Sequence, residues 1–177
     1  MKLVAENHPA LHAIAEEVTP EELADGTLAK IVKKMHSALR SYNADGYIGV
    51  AIAAPQVGIS KRVFLVEDQS KDRDDALPTL VAINPRIMKF SKKKLLSGEG
   101  CLSVPDRYGI VSRHARVTIE ALDENGEPFS RGAGGLLSQI FQHECDHLDG
   151  ILFVDRADKV WQKEELEKVP IKEVANN

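Results

Sequence analysis

Residues 142–147 read Gln142-His143-Glu144-Cys145-Asp146-His147, and this H-E-x-x-H stretch decides the fold and the chemistry expected of the chain. Leu136, Ile140, His143 and His147 follow helical spacing, so one helix face carries two apolar groups and then two imidazoles. Residues four apart stand about one turn above each other, so both rings can reach one metal ion. Glu144 lies roughly 100° around the same helix, close enough to meet a water on that ion without ligating it. A surface helix with chance histidines is the competing reading, since short motifs do arise by chance. The surrounding chain decides between them.

Downstream, Asp149-Gly150 is expected to stop the helix, with glycine available for a left-handed cap. Residues 151–154 form a short buried run, and 158–169 read as a mixed helical tail halted at Pro170, with frayed polar residues after it. Upstream, residues 132–135 read as a flexible lead into the helix. Residues 117–122 alternate with Val117, Ile119 and Ala121 inward, and Asn125-Gly126 marks a hairpin turn. Residues 62–66 predict a strand, 67–76 a charged loop, and 79–84 a second strand stopped by Pro85. A third is expected at 87–90, before Lys92-Lys93-Lys94, a solvated turn or edge. Nearer the start, His8 and His12 are taken as surface residues. Thr19-Pro20-Glu21-Glu22 is a helix-start signature interrupted at Asp25-Gly26. Leu28, Ile31, Val32, Met35, Leu39 and Tyr42 predict an amphipathic helix from Thr27 to about Asn43, with His36 solvated or half-buried. Strands first and the main helix late argue an α+β fold, with mixed or antiparallel sheets packed around a central helix. A single domain over 1–177 is expected, about 158–177 being its C-terminal helix and tail.

Hydrophobic content of 43% and charged content of 28% are those of an ordinary soluble protein. Net charge is −4, and no basic stripe with interleaved aromatics appears, which argues against nucleic-acid binding. No apolar run approaches the roughly 20 residues that span a bilayer. The first residues reach a charge too early for a signal-peptide core, so no membrane partner and a cytoplasmic location are expected. Two cysteines make no disulfide framework. Cys145 reads as a small buried residue, and Cys101 lies in a glycine-rich loop, residues 98–105.

The histidines supply two ligands, whereas a catalytic site wants three and an open position for water. No histidine follows His147; Glu164, Glu165 and Glu167 look solvated, which leaves Cys101 as the best remaining candidate. Residues 48–58 are rich in small side chains that let a backbone approach a neighbour or a ligand. Gln56 is an amide in that apolar run, so it either bonds the backbone or points at a ligand.

The stretches Gly49-Val50-Ala51-Ile52-Ala53-Ala54-Pro55-Gln56, Glu99-Gly100-Cys101-Leu102-Ser103 and Gln142-His143-Glu144-Cys145-Asp146-His147 resemble the three signature motifs of the peptide deformylases. Their order and wide spacing match, and the resemblance extends over nearly the whole chain. It implies that Cys101, His143 and His147 hold one divalent metal ion per chain, natively Fe(II) in that family, with Zn, Ni or Co able to replace it. A thiolate and two imidazoles suit any of these. It further implies a metal-acidified water, with Glu144 as general base and then general acid. The implied substrate is the N-formyl-methionyl end of a newly made polypeptide, cleaved to formate and a free N-terminus. Gln56 and the backbone N–H of Leu102 are then the donors to the developing oxyanion, such a donor being worth about 3 kcal/mol of barrier. Leu136, Ile140 and Val50 would wall the methionine pocket. Gly49, Val50, Ala51 and Gly100 would meet the peptide as an added strand.

Two positions depart from the family pattern: Ala51 replaces a second glycine, and Gln139 stands where an apolar residue is more usual. A zinc endopeptidase would need a downstream ligand that the chain lacks, and a non-catalytic binding relative would have no use for Glu144. A transient contact with the ribosome stays open, since the mixed charge of the C-terminal tail gives it no positive support.

Overall fold

The computed structural model describes residues 3–42, 49–68 and 77–166. Thr19 opens the first helix, α1 (Pro20–Ala24), with the expected capping box: Glu22 N donates to Thr19 Oγ1 at 3.3 Å, and Thr19 N to Glu22 Oε2 at 2.9 Å. Gly26, at φ 82°, then admits α2 (Thr27–Ser41), whose Leu28, Ile31, Val32, Met35, Ala38 and Leu39 are buried along one face. Half-buried His36 pairs with Glu67 at 2.6 Å. The expected end of α2 near Asn43 lies outside the described residues.

Among the described residues eight strands follow: β1 (Ala51–Ala53), β2 (Val63–Val66), β3 (Leu80–Phe90), β4 (Lys94–Cys101), β5 (Val104–His114), β6 (Arg116–Leu122), β7 (Pro128–Gly134) and β8 (Lys159–Gln162). The HExxH helix is α3 (Gly135–Leu148), and α4 (Phe153–Arg156) and α5 (Lys163–Leu166) are short. The larger sheet has the order β1-β2-β3-β6-β7 and the smaller β4-β5-β8, with every pair antiparallel. This is the α+β arrangement expected, with α3 packed against both sheets.

The larger sheet is covered on both faces, which explains why β2 is apolar without alternation. Phe64 and Val66 join Ile119, Phe141 and Leu148 under α3, the Phe64 and Phe141 rings 5.7 Å apart. Val63 and Leu65 join Ile52, Val81 and the apolar stripe of α2 on the other face. A third cluster, with Leu11, Val104, Val111, Leu152 and Phe153, fastens the smaller sheet to α4. No described helix is long and apolar enough to cross a membrane.

Several elements correct the sequence reading. Pro85 does not stop a strand: β3 runs through it, with the register shifting between Ile83 and Arg86. Asn84 makes this tolerable at φ 51°, its side chain accepting from Val18 N at 2.8 Å and donating to Val18 O at 2.9 Å. The expected loop at 98–105 is instead the tight end of the β4–β5 hairpin, so Cys101 ends a strand. Residues 132–134 belong to β7, paired along its length with β6, not to a flexible lead. The tail begins as strand β8, because Val160 and Trp161 complete the smaller sheet beside β5; only Lys163–Leu166 is helical, and 167–177 lie outside the described residues.

Candidate metal centre

The hairpin and α3 deliver three donors to one point. Cys101 comes from the end of β4, His143 and His147 from successive turns of α3, and their ligand atoms lie within 4.8 Å of one another. Cys101 Sγ is 3.2 Å from His147 Nε2, and the two imidazole rings stand at 82° with centroids 4.9 Å apart. Among the described residues this is the one such cluster, and Glu164 and Glu165 are exposed on α5, away from it.

His143 is aimed by its other nitrogen. Nδ1 lies 2.9 Å from Glu99 Oε2, and the ring stacks on Phe153. Burial alone would raise the Glu99 carboxyl, but hydrogen bonds from Arg113 and His143 hold it down at about 2. Glu99 is therefore an acceptor, the proton sits on Nδ1, and Nε2 is left for the site. Arg113 grips Glu99 with two bonds, Nε at 2.7 Å and Nη2 at 2.9 Å, and reaches Asp146 Oδ2 through Nη1 at 2.6 Å. Arg156 holds the other side of Asp146 at 2.7 Å. A chain of alternating charge thus runs behind the helix.

Burial disfavours a charged His143, yet hydrogen bonds with Cys101 and Glu99 outweigh it and raise its pKa well above the usual value. The anions around it favour a positive charge there. Burial lowers His147, leaving a neutral imidazole of the kind that ligates metal. Glu144 is only 4% exposed, and burial pushes its carboxyl up to about 7. Its Oε2 has no hydrogen-bond partner. Soft thiolate, imidazoles and a buried, unpartnered carboxylate oxygen fit a divalent metal with a water beside it.

Gln56 bonds the backbone through its oxygen, and its nitrogen turns toward the hairpin that carries Cys101. Oε1 accepts from Ala53 N at 2.8 Å, and Nε2 faces Ser103 Oγ at 3.3 Å and Cys101 Sγ at 3.5 Å. Leu102 follows Cys101 in the hairpin turn. A cavity of about 430 Å³ opens over the cluster, lined by Gly49, Val50, Ala51, Gly100, Leu136 and Ile140, with Gln56, Leu102, His143 and Glu144. His147 lies deeper, at 1% exposure. A Cβ on Gly49 would stand 2.8 Å from Leu39 Cδ1, so a side chain there would have to displace that methyl. Gln139 lines the cavity and donates to Gly98 O at 2.9 Å.

Residue-by-residue reading missed the support of this site. Glu99 stood in a quoted motif without a role, and Arg113 is found only through the hairpin register, which sets it opposite Leu95 on the Glu99 face. Tyr108 and Trp161 also line the cavity. Trp161 was hidden by the helical reading of the tail.

Such a cluster, with a carboxylate beside it, defines a metallohydrolase of the HExxH kind. The polypeptide deformylase family matches residues 1–163, and the chain belongs to that family. Peptide deformylase 2 of Gloeobacter violaceus is 41% identical over 84% of this chain and 79% of its own length. The peptide deformylase of Natranaerobius thermophilus is 40% identical over 93% of this chain and 96% of its own. The Met-Ala-Ser-bound crystal structure of the Acinetobacter baumannii class I type b peptide deformylase superposes with a TM-score of 0.78. It is 39% identical, covering 87% of this chain and 96% of that one. The activity is therefore hydrolytic removal of the N-formyl group from new polypeptides.

Proposed function

We propose that Cys101, His143 and His147 hold one divalent ion, Fe(II) in the cell. The whole chain, 1–177, forms one catalytic domain acting in the cytoplasm on formyl-methionyl ends. The observation that carries this reading is the convergence of a thiol and two imidazoles beside Glu144 Oε2, a buried oxygen with no partner. Such an ion supplies a Lewis acid that polarises the formyl carbonyl and makes water acidic near neutral pH.

Glu144 takes the proton of the attacking water and returns it to the departing amine. A carboxyl raised to about 7 by burial suits both tasks near neutrality. Gln56 Nε2 and the Leu102 N–H donate to the oxygen on which charge develops; the anchoring of Gln56 Oε1 by Ala53 N supports this, because a fixed donor needs no reorganisation. The methionine side chain enters between Leu136, Ile140 and Val50. The peptide backbone pairs along Gly49–Ala51 on one side and Gly100 on the other. The Met-Ala-Ser held by the Acinetobacter baumannii protein supports a peptide in this cavity.

The test is formate release from formyl-Met-Ala-Ser by anaerobically purified, Fe(II)-loaded protein. Hydrolysis, loss on chelation and recovery with Fe(II) are expected. Protein carrying one metal per chain that releases no formate contradicts the reading.

A further inference from the structure

The cavity over the metal cluster continues onto a part of the smaller sheet that the reaction does not use. Strand side chains alternate, so β4, β5 and β8 present two different faces. Glu99, Val111 and Arg113 turn inward to α3 and α4. The opposite face is ordered by the register into two rows: Gly100 opposite Tyr108 opposite Trp161, and Gly98 opposite Ile110 opposite Lys159. Both β4 positions are glycine, so the strand nearest the metal is bare on this side. The Tyr108 ring comes within 3.0 Å of where a Cβ on Gly100 would stand. Beyond the glycines Tyr108, Ile110 and Trp161 form a half-buried shelf, and all three line the same cavity as Cys101 and Glu144. Lys159 Nζ lies 4.7 Å from the centroid of the Trp161 ring and steadies it.

We propose that Tyr108 and Trp161 form a specificity subsite for the second residue of the formyl-peptide, favouring an aromatic or large apolar side chain there. The inference rests on the peptide pairing as a strand beside β4, as proposed above. A peptide strand whose methionine points to Leu136 and Ile140 on α3 sends its next side chain to the other face of the sheet. That side chain lies over Gly98, which is open, and meets the shelf at the Tyr108 ring, which leans over Gly100. The continuity of the shelf with the metal cavity makes the substrate itself the occupant.

The test compares kcat and KM for formyl-Met-Phe-Ser, formyl-Met-Gly-Ser, formyl-Met-Ala-Phe and formyl-Met-Ala-Gly, with wild type, Trp161→Ala and Trp161→Phe. Wild type is expected to favour formyl-Met-Phe-Ser over formyl-Met-Gly-Ser by roughly 5-fold, in KM, as partial burial of a phenylalanine predicts. Trp161→Ala should bring the ratio below about 2 by raising KM for the phenylalanine peptide alone, and Trp161→Phe should keep most of the preference. The third-residue pair should not discriminate. Trp161 is the chain's single tryptophan, so formyl-Met-Phe-Ser added to the metal-loaded Glu144→Gln protein should also change its fluorescence more than formyl-Met-Gly-Ser does.

No preference at the second residue, a preference at the third, equal slowing of every peptide by Trp161→Ala, or an unchanged fluorescence would overturn the subsite. Wild type inert on all four peptides would overturn the reaction, and the shelf with it.

Discussion

The two long helices, α2 and α3, cover opposite faces of the same five-stranded sheet with different chemistry. The buried face of α2 is apolar throughout, from Leu28 to Leu39. The buried residues of α3 include Ile140, Phe141 and Leu148, but also Ser138, Gln142, Glu144, Asp146 and His147. Most of these polar groups are matched. Ser138 Oγ donates to His114 O, Gln142 bonds both His114 N and His114 O, and Asp146 holds two arginines. Among the described residues, the buried side-chain atoms left without a partner are Glu144 Oε2 and His147 Nδ1, both at the metal cluster. One helix is therefore built for stability, while the other buries polar groups to aim a site, and its exceptions mark the chemistry.

If that division is right, damage on the α3 side falls on both folding and function. Arg113→Leu removes both arginine bonds to buried Glu99 and one of the two arginines on Asp146, and should destabilise by about 3–5 kcal/mol in urea unfolding. A loss below about 1 kcal/mol would show that the charge chain is not structural. Met35→Ala, at a fully buried position of α2, should cost about 3 kcal/mol while leaving kcat and KM on formyl-Met-Ala-Ser unchanged under folding conditions. A selective fall in kcat there would blur the contrast.

Glu99→Gln should weaken metal binding by roughly 10–100-fold, measured by competition with a chelator, because His143 loses the carboxylate that orients it. Its pH dependence has a definite sign. A carboxyl held at about 2 in the fold, against an ordinary 4.5, contributes stability that is fully present above the ordinary value. That contribution fades as pH falls from there through about 2. The stability gap between wild type and Glu99→Gln should therefore close across that acid window. A gap that stays constant would mean the carboxylate charge is not what matters.

The same contrast explains what could be read from the residues alone. The α2 stripe, the capping box at Thr19 and the HExxH spacing are local patterns, and they were legible. Gly150, at φ 74°, ends α3 as expected, and a side chain there would press on Ala13 N at 2.9 Å. What escaped depends on partners distant in sequence. Pro85 reads as a stop until Asn84 is seen bonding Val18. Gly98 and Gly100 erase the alternation that would have announced β4, because the end of that strand nearest the metal cluster is bare on one face. Arg113 acquires meaning only when the hairpin folds it onto Glu99. Trp161 sits in a charged tail that reads as helical until β5 recruits it as a strand.

The central claim is that α3 buries Glu144 in order to move a proton, and Glu144→Gln tests it most directly. The variant keeps the shape of the side chain and removes only its basicity. Measured together on one preparation, metal content should stay at one Fe(II) per chain and the melting temperature should not fall. The rate of formate release from formyl-Met-Ala-Ser should drop by about 10²–10⁴-fold. A variant that keeps its metal and hydrolyses at the wild-type rate would contradict the account.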